Sequence, residues 1–153
     1  MEKFWILAFG ALAACQVSTG ALYSGGSGVG VAATANTGAA FVTPYGTRVY
    51  QVDKNVFEVV PYSLAQTDEY WCGAAQYAHR RLGADWSQQV YMASKQVRSS
   101  AAGGRSAVQF TLNPEAIGLE PVEVHVRTGL TVGDHMSITR ADTRCQPFPP
   151  LFF

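Results

Sequence analysis

The chain has 153 residues, 48% of them apolar and 14% charged, and its eleven Lys and Arg balance eleven Asp and Glu. Zero net charge excludes the basic footprint of a nucleic-acid binder, and the apolar content excludes a disordered tail. The length suits one ordinary domain with its own core, and three cysteines are too few for a disulfide-dense miniprotein or a four-thiolate zinc site.

Met1-Glu2-Lys3 is a short charged start, and the run from Phe4 to Ala14 carries no charge. A bilayer-spanning helix needs about 20 apolar residues, so this run is too short for an anchor and has the length of a signal-peptide core. Residues 1–14 therefore read as a signal peptide. They end on Leu12-Ala13-Ala14-Cys15. This sequence resembles the lipobox of bacterial lipoproteins. The resemblance implies that Cys15 is lipidated, becomes the first mature residue and holds the protein to a membrane. Gln16 follows Cys15, where inner-membrane retention would favour Asp. By the same resemblance that implies the outer membrane of the cell envelope, facing the periplasm. Ala11-Leu12-Ala13 is also an A-x-A site, and cleavage there would leave Cys15 free.

From Gln16 to Ala40 the chain carries six glycines among Ser, Thr and Ala and no charge. Such composition makes a flexible tether, so residues 15–40 read as lipidated cysteine plus tether. An extra edge strand around Gly30–Thr34 is the alternative. The Gly25–Gly30 segment lacks a following Lys-Ser/Thr and is no phosphate loop.

Residues 41–153 are expected to form a single α+β domain. Arg48–Val52 and Val56–Val60 are β-branched and aromatic, Asp53-Lys54-Asn55 separates them, and Pro61 closes the second, which predicts a hairpin. Ser63 to Gln66 has the form of a capping box, with Leu64, Trp71, Ala75, Ala78 and Leu82 in one apolar stripe. Acidic residues lie early, Arg80 and Arg81 late, and Gly83 is a natural stop. The prediction is a helix over about 64–82. Gln88–Val97 reads as a strand, unless Asp85 starts a second helix. Ala101–Gly104 reads as a loop and Ala107–Leu112 as a strand. Val122, Val124 and Val126 alternate with Glu123, His125 and Arg127 as a half-buried strand. After a turn, His135–Arg140 is the last strand. The whole predicts an antiparallel sheet of several strands covered by one main helix.

With Cys15 lipidated, Cys72 and Cys145 remain, and an even pair in an exported domain reads first as a disulfide. It would tie the Pro- and Phe-rich tail to the helix. A sharper alternative starts from Trp71-Cys72-Gly73-Ala74-Ala75, which resembles the Cys-Gly-x-Ala motif of bacterial papain-like peptidases. That resemblance implies Cys72 as nucleophile, His135 as base and Asp142 or Asp134 as orienter. A helix start near Ser63 counts against it, because the dipole then has little effect at Cys72. His79 is no substitute base, lying about 10.5 Å along the helix axis from Cys72. A third reading takes Tyr70, Tyr77 and Trp86 as a platform for a small ligand or glycan, against their ordinary use as core. His79, His125 and His135 lack metal-ligand spacing, so no metal and no cofactor are expected. The stretch from Glu69 to Trp86, with Arg105–Leu112, resembles small uncharacterised exported proteins of alphaproteobacteria and implies no particular chemistry. The resulting expectation is an envelope lipoprotein with a binding or structural role, partnered by the membrane through Cys15 and by some envelope protein.

Overall fold

A computed structural model describes residues 38–62, 66–122 and 130–145. The lipobox, the tether up to residue 37, the Ser63 cap, the 123–127 stretch with His125, and the tail after Cys145 lie outside the described residues.

Strand β1 (Phe41–Val42) is short, and Thr43–Thr47 turns the chain into β2 (Arg48–Gln51). Strand β3 (Val56–Val60) follows through the expected Asp53 turn, where the Asp53 carboxylate accepts the Asn55 and Val56 N–H groups. Helix α1 runs Thr67–Arg80. Strand β4 (Gln89–Met92) and the two-residue β5 (Val97–Arg98) come next, then β6 (Ser106–Thr111). A 3-10 turn spans Glu115–Ile117, and strand β7 (His135–Ser137) leads directly into helix α2 (Ile138–Asp142).

The seven strands are all paired antiparallel, in the order β1-β2-β3-β6-β4-β7, with β5 also on β6. With α1 as the main helix, this is the predicted α+β arrangement. Alternation sorts the side chains by face. Val49, Phe57, Val59, Val90, Met92, Val108 and Phe110 pack with α1 in one core. Helix α1 presents Tyr70, Trp71, Ala74, Ala75, Tyr77 and Ala78 to it. Trp71 meets Phe110 edge-on at 5.1 Å between centroids, and Tyr77 meets Phe57 at 4.9 Å. Gly73 lets the helix come this near. A Cβ there would stand 2.5 Å from Val59 Cγ1 and 2.8 Å from Thr47 Cγ2.

Four boundaries differ from the sequence reading. Helix α1 begins at Thr67, with Gln66 as an N-cap that makes no side-chain bond. It ends at Arg80, so Leu82 leaves the predicted stripe and stands 42% exposed. Gly83, at φ 71°, then turns the chain back, and Ala84 N–H donates to Ala78 O. The expected strand over Gln88–Val97 is split, because Ser94 Oγ takes the Gln109 N–H in place of a backbone carbonyl. Asp85 starts no helix; it accepts the Ser87 N–H and hydroxyl, and these bonds hold its carboxyl below the ordinary range. The last strand stops at Ser137, whose hydroxyl accepts the Arg140 N–H and caps α2.

The sheet is also covered on its second face. Tyr50, Val60 and Ala107 form a smaller apolar cluster there, packed by Ala40, Val97, Ala101 and Ala102. Glu58 lies on this face, 2% exposed, and accepts a hydrogen bond from Ser99 Oγ. Beta3 is therefore buried along its whole length. No helix among the described residues is long and apolar enough to cross a membrane.

Candidate functional site

Two places bring together residues with chemistry. The first is the junction of α1 and α2. Cys72, on the sixth residue of α1, is bonded to Cys145, just after α2, with Cα atoms 4.8 Å apart. This is the disulfide expected between these two cysteines. Gln76 Nε2 donates to Asp142 Oδ1, and Arg144 pairs with Asp68 at 2.7 Å. Asp142 Oδ1 is also 3.7 Å from Cys145 Sγ; a disulfide sulfur has no proton to give, so this is a contact only.

The proposed triad is not assembled. Cys72 is 3% exposed, and its sulfur is spent in the disulfide, so there is no thiolate to attack. His135 pairs across the sheet with Tyr91, while Val90 and Met92 on either side of Tyr91 point into the α1 core. His135 therefore lies on the sheet face away from α1 and Cys72. Its ring stacks on Tyr91 at 5.1 Å, and its Nδ1 lies 3.5 Å from Gly133 O. Asp142 is turned to Gln76, and Asp134 is 4% exposed with one carboxylate oxygen unpartnered among the described residues. The described residues contain no group of His, Cys, Asp and Glu able to hold a metal ion.

The aromatic candidates are also dispersed. Tyr70 is fully buried, with its hydroxyl 3.2 Å from both Ser106 Oγ and Gln96 Nε2. Trp86 is 42% exposed and stacks on His79 at 3.8 Å; His79 Nδ1 faces Ala84 O at 3.0 Å. Tyr77 belongs elsewhere, to the second place.

That place is a cleft of about 760 Å³ between β1, β2 and the end of α1. Phe41, Val49, Gln51 and Tyr77 line it from the sheet and helix. The exposed Val42 and Leu82 line it too, with Arg81, the C-cap residue of α1. The Tyr77 hydroxyl donates to Gln51 Oε1, and Gln51 Nε2 in turn donates to Asp53 O. Burial pushes the Tyr77 phenol up, and the Arg81 guanidinium pulls it part of the way back. Arg81 is the one charged residue lining the cleft among the described residues, and it has no carboxylate partner among them. The helical stripe predicts Leu82 in the core and gives Arg81 only as a dipole partner. The cleft joins residues some forty positions apart, and no local pattern announces it.

Comparison with protein-family models, curated proteins and solved structures finds no match to this chain.

Proposed function

We propose that this chain is a bacterial cell-envelope lipoprotein. Lipid on Cys15 anchors it, residues 16–40 tether it, and the disulfide-tied α+β domain has a binding or structural role without chemistry of its own. The outer membrane, on its periplasmic side, is the proposed site. The observation that carries the reading is the Cys72–Cys145 bond. Disulfides persist in oxidising compartments outside the cytosol. Export is also what the lipobox-like Leu12-Ala13-Ala14-Cys15 implies, so two separate parts of the chain support export. The buried, bonded Cys72 favours this reading over a thiol hydrolase.

The test is metabolic labelling of the full chain with an alkyne fatty acid, followed by membrane fractionation. The expected result is label in the outer-membrane fraction, abolished by Cys15→Ser. A wild-type chain that takes no label and fractionates with soluble periplasmic proteins would replace the anchor with plain secretion. Mass mapping after alkylation without reduction should recover the Cys72–Cys145 crosslinked peptide.

A further inference from the structure

We propose that the cleft between β1, β2 and the end of α1 binds a small amphipathic carboxylate, with Arg81 holding the carboxylate. Phe41, Val42 and Leu82 take its apolar body. This takes up the binding role proposed above and does not depend on the lipid anchor.

The volume, about 760 Å³, lies within the range of small-molecule sites, roughly 300–1,000 Å³. Its lining mixes apolar side chains with a few convergent polar groups, the combination that fits an amphipathic ligand. The sign of the charge comes from Arg81. The lining holds this guanidinium and no carboxylate among the described residues, so an anion meets attraction without repulsion. A guanidinium offers paired donors that match a carboxylate's two oxygens. The apolar character comes from residues that folding leaves open. Val42 is 57% and Leu82 42% exposed, although both are large aliphatics in a chain with a full core. The Tyr77 hydroxyl gives its proton to Gln51, so toward the cleft it presents an acceptor oxygen. It suits a hydrogen-bond donor on the ligand. Gln51 is held by Tyr77 and by the Asp53 turn, so these polar groups are positioned before any ligand arrives.

The experiment is ligand-detected NMR titration of the full chain, wild type and Cys15→Ser in parallel, with two probes: phenylacetate and octanoate. Each is compared with its neutral amide. The expected result is saturable binding of at least one carboxylate, preferred over its amide, and equal in the two chains. Arg81→Gln should weaken carboxylate binding about fivefold, the upper end for a partly exposed charge pair, and erase the preference over the amide. Leu82→Ser should weaken acid and amide alike. Arg81 and Leu82 are exposed, so an unchanged melting curve shows that both variants are folded. No saturable binding of either acid, equal binding of acid and amide, or binding indifferent to Arg81→Gln overturns the proposal. Loss of label with Cys15→Ser and loss of binding with Arg81→Gln are separate outcomes, so the anchor and the site fail independently.

Discussion

Gly73 is where a single missing methyl group sets the distance between α1 and the sheet. The Cβ of an alanine there would overlap Val59 and Thr47, both buried, so neither neighbour is free to swing away. Gly73→Ala is expected to lower stability by about 1–3 kcal/mol, despite alanine's better helix propensity, and urea denaturation measures it. Tyr77 acts through its hydroxyl. Its folded-state pKa is raised above the ordinary phenol value of 10.0, mainly by burial. The phenol is therefore more protonated folded than unfolded. Its contribution is complete below pH 10 and lost as pH rises through the folded pKa. Tyr77→Phe should cost about 1 kcal/mol at pH 8 through the lost bond to Gln51. It should also flatten the decline above pH 10, and urea midpoints at pH 8 and above pH 10 show both. An unchanged alkaline slope would remove Tyr77 as its source.

At the scale of elements, the second face of the sheet carries the main departure from the sequence reading. A sheet covered by one helix leaves one face to water, yet β3 and β6 are buried on both faces over most of their length. The cover is the connection from β5 to β6, whose Ala101 and Ala102 pack on Tyr50, Val60 and Ala107. Ser99 fastens it. Its hydroxyl donates to Glu58 and accepts the Ala102 N–H. Ser99→Ala leaves both groups short of a partner inside the protein, and the expected cost is about 1–3 kcal/mol. Hydrogen exchange at Ala102 and along β3 should rise with it; unchanged exchange there would show that the connection holds without Ser99. The alternation of Val56-Phe57-Glu58-Val59-Val60 gave no warning, because Glu58 among apolar residues is the ordinary mark of a solvent-facing position.

For the whole molecule, the disulfide joins positions 73 residues apart and couples α1 to the end of α2. Closing a loop of that length contributes about 4 kcal/mol in the chain-entropy account. Reduction, or Cys72→Ala with Cys145→Ala, should lower the melting temperature by roughly 10 °C or more, read by calorimetry with and without reductant. A melting curve indifferent to reductant would mean that packing of Ile138 and Ala141 against α1 already holds the junction.

The sequence by itself determined the hairpin, the main helix and the β6 strand, because each follows from a period or a turn within a few residues: β-branched runs around Asp53-Lys54-Asn55, and the apolar stripe from Trp71 to Ala78. It also pointed to Cys72 and Cys145 as the pair, on the expectation that Cys15 carries lipid. Only the tertiary structure decided the faces and the cleft. His135 lies away from Cys72 because the β4–β7 register sets it beside Tyr91. Leu82 lines a cleft because α1 stops at Arg80. Registers and helix ends arise from contacts between distant segments, and those contacts leave no local period to read.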